Sequence, residues 1–275
     1  MYSSNTLLTL VLLIFCSNLT ANQSTKQNTE KSTAKSAEQI MERNFYAGKV
    51  SKIKKQITMK LINHRSEERV RKVIVTSALQ DNGIDSYMLV RFLKPKDIQG
   101  TGFLQHEHSK AEDDLWIFLP ALDRSRRLIA SNKKDSFMGT DFAYGDMLPP
   151  RVSYYHHKLI GEAVVDGVDC FLIESTPINQ TIKDNYGYTS KKTWIDKKSF
   201  HEVKVEYYDL DKQLLKTQRV SGIKLVEPEN DRYAAMRREM NNHQTGHKTI
   251  VEATHYETDV KLDQHTFTVR TLEWF

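Results

Sequence analysis

Cysteine is nearly absent: 275 residues contain two, and Cys16 directly follows the one long apolar run, which leaves Cys170 for the body of the chain. That count excludes a disulfide framework and a four-cysteine zinc site. Glycine and proline are sparse, at 11 and 6, and no Gly/Ser/Pro-rich linker divides the chain. No Gly-x-Ser-x-Gly elbow, no Gly-x4-Gly-Lys-Ser/Thr phosphate loop and no dinucleotide glycine fingerprint occurs. Serine-hydrolase, nucleotide-hydrolase and dinucleotide-dependent chemistries therefore have no support. The net charge of +5 is spread along the sequence without a basic stripe, so nucleic acid is not an expected partner.

The longest apolar run, residues 7–15, is about nine residues, roughly half of a bilayer span and the length of a signal-peptide core. Small and polar residues follow, and cleavage is expected near Ala21, so residues 1–21 read as a signal peptide. Residues 22–35 are almost wholly polar and cannot offset their ordering entropy by burial, which makes them a flexible tether. Residues 36–275 are then one domain. An exported chain without disulfides fits a bacterial periplasm.

Within that domain, residues 36–47 have helical spacing, with Ser36 as cap, Ala37, Ile40, Met41 and Phe45 on one face, and Gly48 as the stop. Beyond Gly48 the period becomes two. Ile53, Ile57, Met59 and Leu61 interleave with lysines and polar residues, and Val203, Val205 and Tyr207 alternate with Glu202, Lys204 and Glu206. Asp81-Asn82-Gly83, Asp166-Gly167 and Asp209–Lys212 mark turns between such runs. About 10–11 strands are expected, with Phe267, Val269 and Leu272 pinning the end. Few helices interrupt them, so the sheet should be antiparallel, and a sheet this large must curl to manage its edges. Two stretches break the pattern: an aromatic-rich loop over 131–152, and 228–246, whose composition predicts a helix.

Chemically reactive clusters are scarce. His106-Glu107-His108 places two imidazoles on one side of a strand but lacks a third ligand, and His156-His157 would face opposite sides. Cys170 sits in an apolar strand as a small core residue. Asp141 and Asp146 read as loop acids. Arg124, Arg126 and Arg127 form a basic cluster suited to an anionic headgroup or a partner surface. No metal, cofactor or catalytic residue is implied. What the chain does supply is 11 Phe, 12 Tyr, 3 Trp and 8 Met, the residues from which adaptable apolar pockets are made.

Three blocks carry a family likeness: Phe92-Leu93-Lys94-Pro95-Lys96-Asp97-Ile98-Gln99-Gly100-Thr101-Gly102-Phe103-Leu104, then Asp114–Leu122 with Arg124–Leu128, then Ser136–Met147. Together they resemble the outer-membrane lipoprotein-sorting proteins, the LolA-like periplasmic family, and the likeness extends through Val165-Asp166-Gly167 and Trp194–Lys197 to about residue 217. The resemblance implies a mainly β fold, a strongly curved antiparallel half-barrel covered by helices and loops. It also implies a non-enzymatic periplasmic carrier of lipid or lipoprotein acyl chains, working beside an inner-membrane export pump. On that reading Phe103, Trp116 and Phe118 line the cavity, with Phe137, Met138, Phe142 and Met147 on a lid. Arg124, Arg126 and Arg127 are expected to meet a headgroup or partner, and the carrier is a monomer in transient contact with membrane. The alternative is a periplasmic sensor or adaptor that binds a protein and no lipid.

Overall fold

The computed structural model describes residues 37–274 apart from Asp259 and Gln264. The expected signal peptide, the tether and the Ser36 cap lie outside the described residues.

Helix α1 runs over 37–47 and buries Ala37, Ile40, Met41 and Ala47, the i, i+3, i+4 spacing of one helical face. This face packs on Ile173 and Ile195. After Gly48 come six strands: β1 (Lys52–Ile62), β2 (Glu68–Leu79), β3 (Ser86–Lys94), β4 (Gly102–His106), β5 (Asp114–Leu119) and β6 (Arg124–Leu128). A crossing segment, residues 129–154, follows as a series of single 3-10 turns. Then come β7 (Tyr155–Val165), β8 (Val168–Pro177), α2 (Gln180–Tyr186), β9 (Ser190–Asp196), β10 (Glu202–Tyr208), β11 (Leu214–Glu227), β12 (Arg232–Asn242), β13 (Lys248–Glu257) and the short α3 (Val269–Glu273).

All thirteen strands form one antiparallel sheet, ordered β6-β5-β4-β3-β2-β1-β13-β12-β11-β10-β9-β8-β7. Two meanders thus share the β1–β13 seam, and β6 and β7 are opposite outer edges. Local turn chemistry builds each arm. Between β7 and β8, Asp166 and Gly167 both take positive φ, 49° and 81°, which a two-residue hairpin with right-handed twist requires. Side-chain alternation fixes which face each strand buries: Val203, Val205 and Tyr207 are buried while their neighbours are half-exposed.

Laid flat, thirteen strands would span roughly 58 Å at the usual spacing. The sheet instead curls, so that both arms contribute to one core, and the crossing segment is tied to the β4–β5 loop at one end. In the β4–β5 loop, Glu112 accepts a hydrogen bond from Tyr154 Oη (2.8 Å) at the entry to β7, and Asp113 pairs with Arg151. Lys133 of the crossing segment joins the same clasp through Glu112 Oε2 at 2.5 Å. The main core lies on the inner face so formed, where Val73, Phe92, Phe103, Ile117, Tyr207 and Met240 meet Phe137, Phe142 and Tyr144 of the crossing segment.

On the outer face the C-terminal residues cover the β3–β5 region. Phe267 and Leu272 pack with Leu89, Leu104 and Phe118, and Leu272 is fully buried. Gly102 has no side chain because Leu272 occupies that space: a Cβ there would collide with Leu272 Cδ1.

The 228–246 expectation is corrected. A 3-10 turn over Pro228–Asn230 leads into β12, because the helix preference of its Ala, Met, Arg and Glu residues is overridden by tertiary context: β11 and β13 both offer ladders to the chain between them. This raises the strand count above the 10–11 expected.

Leu272→Ala should lower unfolding free energy by about 2–4 kcal/mol in a urea titration. Gly102→Ala alone should also destabilise, and less so in the Leu272→Ala background. Strict additivity of the two would contradict the steric contact.

Candidate functional site

Between α1, the crossing segment and the inner face of β1–β3, β12 and β13 lies a cleft of about 320 Å³. Such a volume is at the lower end of ligand sites, which run about 300–1,000 Å³. Its walls are mostly apolar: Ile53, Ile57, Val75, Met88 and Val251 from the sheet, Val50 after α1, and Phe142, Met147 and Leu148 from the crossing segment. A smaller cavity of about 90 Å³ shares Asn44, Asp146, Leu148, Pro149, Pro150 and Glu202 with it and continues toward Tyr155, Tyr186 and Lys191. Residues 146–150 therefore stand as a partition across one groove.

Four hydrogen bonds, at Asp146, Asp141 and Met138, tie the crossing segment to the strands and the α2–β9 loop. Asp146 accepts from Lys216 Nζ at 2.7 Å, both side chains being buried, and from Tyr188 Oη at 2.9 Å. Asp141 accepts from Thr249 Oγ1 at 2.7 Å. Arg71 Nη1 donates to the Met138 carbonyl at 2.6 Å. The loop acids Asp141 and Asp146 are thus anchors of the crossing segment.

The sequence-derived residues divide among three places. Phe142 and Met147 line the cleft. Phe103 and Phe137 are fully buried and meet edge to face at 5.5 Å, and Met138 packs beside them, so these three support the wall from behind. Trp116 and Phe118 point to the outer face, where they pack with the C-terminal segment, and do not line the cavity as expected. The reason is parity: Phe103 pairs with Ile117 across the β4–β5 ladder, so on β5 the inward residues are Leu115 and Ile117. Arg124, Arg126 and Arg127 are exposed on edge strand β6, away from the cleft lining, with Arg127 paired to Asp114.

Elsewhere, His106 Nε2 meets the Phe267 carbonyl at 2.7 Å, Glu107 pairs with buried Lys49, and His108 meets Asp114 at 3.0 Å, so the three diverge. Among the described residues no cluster of three or more His, Cys, Asp or Glu could hold a metal ion. Cys170 is fully buried, and burial pushes its thiol up to about 11, the opposite of an activated nucleophile.

The cleft also holds polar residues that sequence reasoning did not select: Lys55, His201, Glu202 and Arg238. Lys55 sits between Ile53 and Ile57 on β1, on the apolar parity, and that misplacement is the readable signal. Glu202 has the parity of the wet face. A bulge between Glu202 and Lys204 sets it opposite Ile195 and turns it inward. Burial opposes its ionisation, but Arg238 at 2.5 Å overcomes this and holds the carboxyl down at about 2. Burial pushes His201 down to about 4, so it is neutral at physiological pH.

A domain from Vibrio parahaemolyticus named for outer membrane lipoprotein sorting is 31% identical, with a TM-score of 0.79, over 87% of this chain and 99% of that one. The chain belongs to the LolA-like lipoprotein-sorting family. A family model described only as an uncharacterized protein matches residues 84–274. A DUF1329 family protein from Desulfovibrio piger shares the LolA-like fold at 24% identity and a TM-score of 0.79, covering 87% of this chain and 99% of that chain. A LolA superfamily protein from Nitrosomonas europaea shares it at 20% and 0.63, covering 84% and 97%. No curated protein matches the chain.

His201 and Glu202 both have folded pKa values below their unfolded ones, so each favours the fold at higher pH. His201's share is complete above about pH 6.5 and is lost as pH falls toward 4; Glu202's follows between about 4.5 and 2. Stability by urea titration should therefore fall by about 3 kcal/mol from His201 alone between pH 7 and pH 4. His201→Gln should flatten that limb. An unchanged slope in the variant would show that His201 is not the group responsible.

Proposed function

We propose that the protein is a periplasmic, non-enzymatic carrier that holds an acyl chain of a lipid or lipoprotein in the cleft between α1, the crossing segment and the inner face of the sheet. The observation behind this reading is the lining. Apolar side chains from five strands and the crossing segment surround an unfilled space of about 320 Å³ beside the main core. Close packing is the rule in protein interiors, and unfilled apolar volume weakens a fold unless something occupies it.

Energetics favour this occupant. Each methylene removed from water contributes about 0.8 kcal/mol, so a fourteen-carbon chain gains on the order of 10 kcal/mol before ordering costs are subtracted. Met88, Met147 and Met236 give the walls adaptable surfaces. Phe142 and Met147 are assigned to the acyl chain, and Phe103, Phe137 and Met138 to the packing that positions them. Enlargement of the groove would follow from displacing residues 146–150, whose removal would join the two cavities.

Export to the periplasm rests on the signal-like run at residues 7–15 and on the family. Among the described residues no helix is long and apolar enough to cross a membrane. Partnership with an inner-membrane export pump, transient membrane contact and a monomeric state belong to the same reading. Arg124, Arg126 and Arg127 are assigned to a partner or membrane contact, a reading supported by their exposure on edge strand β6.

Native mass spectrometry of protein purified under mild conditions, with lipid extraction alongside, tests the carrier reading. Wild type should retain a stoichiometric lipid, and Met147→Asp should lose most of it while its Tm stays within a few degrees. Phe142→Asp should lose lipid too, with a larger drop in Tm because Phe142 is nearly fully buried. A clean apo mass, unchanged after incubation with bacterial lipids or acylated peptides, would favour the protein-binding adaptor instead.

A further inference from the structure

The charged groups lining the cleft balance one another with a single exception. Lys49 pairs with Glu107, Asp146 with Lys216 and Glu202 with Arg238, while Arg237 alternates with Arg238 on β12 and turns to the opposite face, where it and Lys248 share Glu239. His201, held neutral by burial, adds no charge. That leaves Lys55. It projects from β1 on the same face as Ile53 and Ile57, both cleft residues, and pairs with no carboxylate among the described residues. Its Nζ donates one stretched hydrogen bond, 3.5 Å, to the Ala235 carbonyl.

From this arrangement, and resting on the carrier reading above, we infer that the cleft takes an anionic amphiphile whose acidic headgroup, a carboxylate or a phosphate, is bound by Lys55. A neutral lipid would leave the cation unbalanced in an apolar wall, whereas an anionic oxygen would complete the pattern that the other charged groups already show. Uncompensated charge away from water weakens a fold, and its retention at a cleft is more readily explained by binding than by stability. Arg238 reinforces the positive field: its guanidinium is held by Glu202, so it acts at a distance while Lys55 makes the contact. The acyl chain then runs from Lys55 along Ile57, Val75 and Met88 toward Phe142 and Met147.

Desolvation, aided by Arg238, brings Lys55 down to about 8 in the unliganded protein. The groups facing it are Arg238 from β12, His201 and Glu202 at the start of β10, Lys49 after α1, and Asp146 from the crossing segment, while Arg237 lies on the opposite face of β12. His201 and Glu202 titrate near 4 and 2, so neither changes charge between pH 7 and 9. Lys49 is also lowered by burial, with Glu107 opposing that shift, which makes a Lys55 variant the necessary control for any alkaline effect. Because the anion selects the protonated amine, affinity should fall about tenfold from pH 7 to pH 9.

The test uses delipidated full-length mature protein and calorimetric titration with three fourteen-carbon probes: tetradecanoate, tetradecyl phosphate and the neutral methyl tetradecanoate. Wild type should bind at least one anionic probe ten times or more tightly than the ester, and the better anion separates carboxylate from phosphate sources. Lys55→Met should abolish that preference and its pH dependence, while ester affinity stays within twofold and Tm is unchanged or raised. Lys55→Arg should restore the preference and remove the loss at pH 9. Equal wild-type affinity for anions and ester, or a preference that survives in Lys55→Met, overturns the Lys55 assignment and leaves the carrier reading standing. Failure of all three probes to bind wild type removes both.

Discussion

A thirteen-strand open sheet has two faces to cover, and its connectivity permits one short solution. Because each arm is a meander starting from the β1–β13 seam, the chain reaches one outer edge at β6 and must restart at the other with β7. Residues 129–154 make that passage, and they do so across the inner face. Everything else on that face depends on this crossing. The aromatic residues along it become the second layer of the core, and the curl of the sheet is closed at one end by Glu112 and Asp113 reaching Tyr154, Arg151 and Lys133. Where the crossing segment and α1 fail to fill the inner face, a cleft remains.

Polar contacts to both backbone and side chains add to the apolar packing that holds the crossing segment. Lys216 and Tyr188 fix Asp146, Thr249 fixes Asp141, and Arg71 fixes the Met138 carbonyl. Hydrogen bonds to charged groups contribute roughly 1.5–3 kcal/mol each when buried and satisfied, and they specify position more sharply than apolar contacts do.

The outer face follows a separate logic. Leu272 and Phe267 seal the β3–β5 region, and the absence of a side chain at Gly102 admits Leu272 to the sheet surface. Covering this region converts a potentially exposed apolar patch into a second small core. It also explains why Trp116 and Phe118, bulky and apolar, contribute nothing to the cleft.

Local signals in the sequence determined much of this protein. The helix over 37–47, the turns at Asp81–Gly83, Asp166-Gly167 and Asp209–Lys212, the antiparallel strands and the aromatic crossing loop all follow from capping, turn chemistry and period-two alternation, which act over a few residues. The family likeness came from three contiguous blocks for the same reason. Tertiary structure decided the rest. Which parity of β5 faces inward depends on its ladder with β4, so Ile117 is interior and Trp116 is not. Residues 232–242 become β12 because neighbouring strands supply the ladders. The cleft's charged residues Lys55, Glu202 and Arg238 come from three strands, with Glu202 turned inward by a bulge. Alternation tells a strand that it has two faces; only the partner strands and the segment crossing above them settle which face is buried and where a space is left.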